Sequence, residues 1–449
     1  MRNLTRILFA VIAIFAIACQ SGDKKTKPIV SKTSLRPVPG QYVVIMTDSF
    51  EKPLIMLEGI KDESSKSKAR QVKINKVKGF AKDHTLKLSD SSIFVDISVG
   101  FVAEMDSARA EQIRSDRMNV QSVTPDFEIK LTDPVQQGQP IQQGQPIQQG
   151  QPIQQSLIPV PAGSTTWQSC ALVEAGGPIS ASGKATKVWI IDTGIQPHPN
   201  LNINTTLSRN FVDGGAAYSA DDDDNGHGTH VAGIVGAMPN NTFFKDDDGH
   251  PLTVSVGVSE GATLVSLKVL DADGNGKWSY LIRALNQVSR NYIEGDVVNL
   301  SLGAYCVDCA VELPGLRTMI LNLAAKKVYI VMASGNDAGD AKRNFPGCIN
   351  SPVGSPNYIF TVGAIDCDGL CTFYSNYGAP PIDYVAVGTH VFSTFIKDPL
   401  TGQWQYTLMS GTSMSTAVIS GVIHATSGAI KAQNSTCGSP PYSKGRTRM

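Results

Sequence analysis

The sequence predicts an α/β protein: a doubly wound, mostly parallel sheet with helices on both faces, preceded by a small α+β unit. Three observations predict it. After residue 156, the runs "KVWIID", "ATLVSLKVL", "DVVNLSLG", "VYIVMASG" and "YIFTVGAI" are almost continuously apolar, as strands covered on both faces should be. Between them lie helical stretches such as "YLIRALNQVSRNY" and "LRTMILNLAAKK", and this alternation builds parallel sheets. Nearer the N-terminus, "PGQYVVIM" to "PDFEIKL" bounds a region with its own strands and helix, set apart by a low-complexity tract.

With 449 residues the chain is long enough for two or three domains. Its 41% hydrophobic and 17% charged residues are ordinary for a globular protein. Lys plus Arg and Asp plus Glu both number 39, so no charge excess points to a nucleic acid or an anionic membrane as partner. Arg2 and Arg6 precede an apolar run from Ile7 to Ala18, which is too short for a relaxed transmembrane helix and reads as an export signal, residues 1–18. Cleavage falls between Ala18 and Cys19, and two readings stay open: plain secretion, or lipidation of Cys19 as an anchor at the cell envelope.

A Lys-, Ser- and Thr-rich tether follows over 19–35. The α+β unit occupies 36–132, with strand-like "YVVIM", "FVDISVGFVAEM" and "FEIKL" and helical "SARAEQIRSD". Its Lys-rich middle, from Lys61 to Lys87, reads as solvated surface. "QQGQPI" then occurs three times in tandem, and Gln, Gly and Pro bury too little apolar area to offset chain entropy, so 133–155 is a linker. The α/β domain takes 156–449.

Cys19 aside, seven cysteines remain, at 170, 306, 309, 348, 367, 371 and 437. Export favours disulfides over a zinc site built on Cys306-x-x-Cys309 and Cys367-x3-Cys371, and the odd count leaves a thiol unpaired within the chain.

"VWIIDTGI" ends a strand in Asp192, and ligand chemistry in doubly wound sheets sits at strand carboxyl ends. An aspartic protease needs two such carboxylates, and this chain has a single Asp-Thr-Gly. "DDDDNGHGTHVAGIVGA" puts His227 before a helix of small residues, and "MSGTSMSTAVISGVIHA" puts Ser413 at the start of another. "VMASGND" follows a strand with Asn336, whose amide can donate to an oxyanion. His227 lies 35 residues after Asp192, and Ser413 a further 186. Asp…His…Ser is the order found in subtilisins. His230, one turn after His227, reads as a packed helix residue, and the pair lacks the glutamate and spacing of a zinc protease.

Residues 160–430 resemble the subtilisin-like serine protease family through "IIDTGI", "GHGTHVAG", "VVNLSLG", "ASGN", "FYSNYG" and "SGTSMS", in family order. The resemblance implies an exported serine endopeptidase acting on protein or peptide substrates. Ser413 would be nucleophile, His227 general base, Asp192 its orienting partner and Asn336 the oxyanion donor. It also implies that Ser301, Leu302 and Gly303 pair with substrate main chain, and that Ala333, Ser334 and Gly335 wall the primary pocket. No cofactor is required. The acidic runs Asp221–Asp224 and Asp246–Asp248 could bind structural calcium, as many members of the family do, although a solvated loop is the preferred reading. "KVLDADGNGKW" is a poor EF-hand loop and in the family lines the cleft. More weakly, the α+β unit resembles the family's inhibitory propeptide, a partner in cis, to be separated at the glutamine linker. Two departures stand out. "STAVISG" replaces the family's proline-containing continuation after Ser413, and the chain runs only 36 residues beyond that serine, which keeps a catalytically dead relative as the alternative.

Overall fold

Strands that are apolar on both sides need two layers of cover, and the chain folds so as to supply both. The computed structural model describes residues 35–51, 60, 62–131, 136–137, 141–142, 156–161, 164–212, 214–219, 222–246, 248–438 and 442–448, all within one compact unit, Thr33–Met449. The expected export signal, Cys19 and most of the glutamine tract lie outside the described residues.

In the N-terminal part, β1 (Pro37–Met46) lies between β2 (Gly100–Glu104) and β3 (Val120–Leu131), antiparallel to both. The helices α1 (Glu63–Asp83) and α2 (Ser107–Ser115) also belong to it, and Val77, Phe80, Phe101 and Ile113 share its core. Two expectations need correction. The Lys-rich stretch is not merely solvated surface: α1 buries Ala69, Val77, Phe80 and Ala81 on one face and keeps most of its lysines outside. "FVDISVGFVAEM" is not one strand, because the chain bends at Asp96. There the carboxylate pairs with Arg70 at 2.6 Å and Arg290 at 3.0 Å.

The second part carries β4 (Lys187–Asp192), α3 (His227–Gly236), β5 (Thr263–Lys268), β6 (Asn275–Lys277), α4 (Trp278–Asn291), β7 (Val297–Leu300), β8 (Leu302–Tyr305), α5 (Pro314–Ala325), β9 (Tyr329–Ala333), β10 (Asn344–Phe345), β11 (Ile359–Ile365), β12 (Ile382–Val387), β13 (Val391–Phe395), β14 (Gln405–Ser410), α6 (Thr412–Thr426), β15 (Lys431–Asn434) and β16 (Ser443–Arg446). The main sheet runs β5-β4-β7-β9-β11-β12-β16-β15, parallel except for the last pair, with short strands added beyond and beside β5. Alternation along β4 shows the two layers. Val188 and Ile190 face a core shared with α3 and α6, whereas Trp189 and Ile191 face one shared with α4 and α5. This is the doubly wound arrangement that the apolar runs predict.

Two joins link the parts of the chain. β3 lies between β6 and β8, antiparallel to both: Lys130 opposes Asn275 and Gly303, and Leu131 opposes Leu302. Gln136–Gln137 and Ile141–Gln142, in the predicted linker, pair antiparallel with β14, so this stretch is not wholly structureless. β14 is paired with β13 on one side only, and extended main chain from the glutamine tract occupies its other edge.

Candidate active site

β4 is fully buried and ends at Asp192, so its carboxylate reaches the carboxyl edge of the sheet without meeting solvent. The next residues turn sharply, and α3 packs directly on that turn. A Cβ at Gly228 would come within 2.0 Å of the Gly194 carbonyl, so only glycine permits this approach. The result is a buried contact of 2.7 Å between His227 Nδ1 and Asp192 Oδ1. The same oxygen accepts the Thr193 N–H at 2.8 Å.

The acidic run before His227 is built differently from a solvated loop. Asp223 is buried, and its two oxygens accept from the Thr193 hydroxyl (2.8 Å), Gly226 N–H (2.8 Å), Thr229 N–H (2.8 Å) and the Thr229 hydroxyl (2.6 Å). Burial pushes this carboxyl above its ordinary range, and the donors oppose that shift. Because the Gly226 N-cap has no side chain, Asp223 caps α3 in its place and ties it to the Asp192 turn. Asp222 is also buried and accepts from Asn210 at 2.9 Å, while Asp224 pairs with the buried Lys268 ammonium at 2.7 Å. His230 is packed as expected, its Nε2 lying 3.0 Å from the Val391 carbonyl and 3.2 Å from that of Thr407.

Ser413 occupies the first turn of α6, where the helix dipole favours negative charge. Its hydroxyl donates to the Ser301 carbonyl at 3.2 Å, and the Ser301 hydroxyl donates to the Ser413 carbonyl at 3.0 Å. Behind them, Ser420 donates to Asn299 and Asn299 to Ser301, both at 2.9 Å. Among the described residues His227 Nε2 is buried without a hydrogen-bond partner, so the expected carboxylate–imidazole contact is present and the expected imidazole–hydroxyl bond is not. Ser413, His227 and Asp192 are each no more than 1% exposed, which excludes bulk water from all three.

The expected oxyanion donor is held by its other end. Asn336 Oδ1 accepts the Thr412 N–H at 2.9 Å and the Thr412 hydroxyl at 2.8 Å, which fixes the orientation of the amide. A Cβ on Gly411 would lie 3.2 Å from Asn336 Nδ2 and 3.8 Å from Ser413 N, so the two nitrogens converge over that glycine. The missing proline of α6 leaves an unbroken helix, in which the Thr416 hydroxyl donates to the Thr412 carbonyl at 2.7 Å.

Leu302 and Gly303 are engaged by β3, while Ser301 is held against Ser413. Ala333 ends β9 and Ser334 and Gly335 follow it, fixed by two residues that sequence reasoning did not single out. Asn344 donates to the Ala333 carbonyl at 3.0 Å and Asn376 to that of Ser334 at 2.8 Å. Asn376 sits inside "FYSNYG", so the motif had flagged it without a role; Asn344 left no signal.

Asp126 of β3 was also missed. One carboxylate oxygen accepts the Ser279 N–H at 3.0 Å, capping α4, whose own N-cap Lys277 makes no side-chain cap bond. The other oxygen is buried without a partner among the described residues, and burial raises the carboxyl above its ordinary range, against the bonds from Ser279 and Phe127. A group whose pKa is raised when docked favours docking most at pH values below its free value, and that contribution fades as pH rises through the raised one. In full-length Ser413→Ala protein, the thermal midpoint should therefore fall over this interval more steeply with Asp126 than with Asp126→Asn.

Six cysteines form Cys170–Cys367, Cys306–Cys309 and Cys371–Cys437, and Cys348 is free. The pairs divide the zinc candidates: Cys367 and Cys371 bond to different, distant partners.

The sequence profile described as the Subtilase family matches residues 183–433. Subtilisin-like protease 2 of Pseudogymnoascus destructans is 32% identical over 246 residues, 54% of this chain and 52% of that protein. M-protease of Shouchella clausii is 34% identical over 241 residues, covering 54% and 53%. Subtilisin BL of Lederbergia lenta is 33% identical over 240 residues, covering 54% and 75%. The chain thus spans about half the length of the first two relatives. A solved structure of a cold adapted subtilisin-like serine proteinase is 26% identical and aligns over 54% of this chain and 75% of that one, with a TM-score of 0.40. Carried by a profile match across more than half of its residues, the chain belongs to the subtilase family.

Proposed function

We propose that the protein is an exported serine endopeptidase made as a zymogen. The observation that carries the reading is the buried 2.7 Å contact of Asp192 with His227, at the sheet edge where α6 presents Ser413. In the first step the Ser413 hydroxyl turns from the Ser301 carbonyl to His227 Nε2. As its oxygen bonds to the peptide carbonyl carbon, its proton passes to Nε2 and Asp192 stabilises the imidazolium. The carbonyl oxygen, now an oxyanion, takes hydrogen bonds from Asn336 Nδ2 and Ser413 N–H. Collapse of this intermediate passes the proton from Nε2 to the departing amine and leaves an acyl-enzyme; water then repeats the sequence and releases the acid. Asn336→Ala should lower kcat about a hundred- to a thousandfold with little change in KM, the cost measured for such a donor in a subtilisin. Steady-state kinetics on a peptide substrate checks this.

The zymogen reading rests on β3. It lies between β6 and β8, where a substrate strand would pair, and its last residue, Leu131, opposes Leu302, the neighbour of Ser301, whose carbonyl holds the Ser413 hydroxyl. Residues 36–132 would then inhibit in cis until the chain is cut just beyond Leu131. N-terminal sequencing of protein matured in its native host tests this. A new terminus within a few residues of Leu131, lost in Ser413→Ala, supports self-processing; an uncut chain that remains active overturns it. The same sequencing reports the fate of Cys19, whose lipidation would anchor the enzyme at the envelope rather than release it.

A further inference from the structure

Cys306, Cys309 and Cys348 bring three sulfur atoms within 4.8 Å of one another, and the other two disulfides lie elsewhere. Cys306 follows β8 directly, and Cys348 follows β10. These strands are already paired, Ala304 with Phe345 and Tyr305 with Asn344. The loops are bonded through main chain as well: Cys306 N–H donates to the Arg343 carbonyl at 2.9 Å, and Cys348 N–H to that of Asn344 at 2.8 Å. Cys309 Sγ lies 3.3 Å from the Lys342 carbonyl. The sulfurs can therefore change partners through side-chain rotation, without breaking the strand pair.

We propose that these residues form an intramolecular thiol–disulfide exchange site, in which Cys348 attacks the Cys306–Cys309 bond and moves the link onto the loop after β10. The Cys348 thiol loses its proton to solvent. Its thiolate forms a new S–S bond to one sulfur of the pair, the old bond breaks, and the departing thiolate takes up a proton. One disulfide and one thiol stand on each side of the step, so no oxidant or reductant is consumed. The exchanged form ties the segment after β8, the strand that meets β3, to the loop after β10, whose Asn344 holds the Ala333 carbonyl.

Burial pushes the Cys348 thiol up to about 12; the charges facing it, Arg317 from α5 and Asp308 between the paired cysteines, act in opposite directions. Thiolate is then scarce at neutral pH, and the exchange rate should climb about tenfold per pH unit. This reading is independent of the peptidase assignment, so the test uses full-length Ser413→Ala protein, which cannot digest itself during long incubations if that assignment holds. The protein is incubated between pH 7 and pH 10, quenched with N-ethylmaleimide and digested without reduction for mass spectrometry. At the start maleimide should sit on Cys348, and with time peptides joined through Cys348 should appear, their rate still rising at pH 10. In Cys309→Ser, Cys306 and Cys348 are both thiols, and added oxidised glutathione, itself reduced to two thiols in the step, should join them directly. The proposal is overturned if Cys348 alone is alkylated at every pH, if both thiols of Cys309→Ser remain alkylated after treatment with oxidised glutathione, or if Cys348 links form only between two chains.

Discussion

Ser413→Ala should lower kcat about a millionfold, the cost found when the nucleophile of a subtilisin is removed. The substitution deletes the hydroxyl that would attack and leaves His227 bonded to Asp192, so the melting temperature should move little. Two readouts check it: a fluorophosphonate probe should label the wild type and not the variant, and the variant should keep its N-terminal residues. His227→Ala should cost about as much, and the double variant no more than either single one, because the residues act as a unit. If the wild type fails to label beside a proven active relative, the chain is a binding or scaffold protein that retains the family's frame.

Asp192→Asn should lower kcat by about ten thousandfold, as the corresponding change does in other Ser-His-Asp enzymes, with KM nearly constant. Asp192 Oδ1 now accepts two N–H groups, from Thr193 and His227. An amide keeps one acceptor and adds a donor where the carboxylate had its second oxygen, which has no partner of its own among the described residues. The amide N–H then competes for His227 Nδ1 as an acceptor and drives the proton to Nε2, where the ring cannot take one from Ser413. Steady-state kinetics together with thermal unfolding separates this from misfolding: the rate collapses while the midpoint stays close to that of wild type.

The parts of this molecule that sequence made readable are those whose physics is local. "KVWIID" and "VYIVMASG" are strands because nothing polar interrupts them, and "GHGTHVAG" marks a close-packed helix because small residues have few other reasons to cluster. Asp222, Asp223 and Asp224 look alike in sequence, and their fates are set by distant groups. Thr193 and Thr229 enclose the second, Asn210 holds the first, and Lys268 neutralises the third. Asp126 likewise acquires its role only when β3 reaches α4, more than 150 residues later. The three disulfides, and the choice that leaves Cys348 free, also depend on contacts that spacing does not encode.

The position of β3 has a consequence for synthesis. About 280 residues separate Leu131 from Ser413, so a ribosome adding roughly 5–20 residues per second spends on the order of 15–55 seconds between them. Leu131, which meets Leu302 of β8, is therefore translated well before Ser413. If β3 inhibits as proposed, a nascent polypeptide carries its own restraint before it can cut its neighbours, and the cell making it is spared that interval of danger.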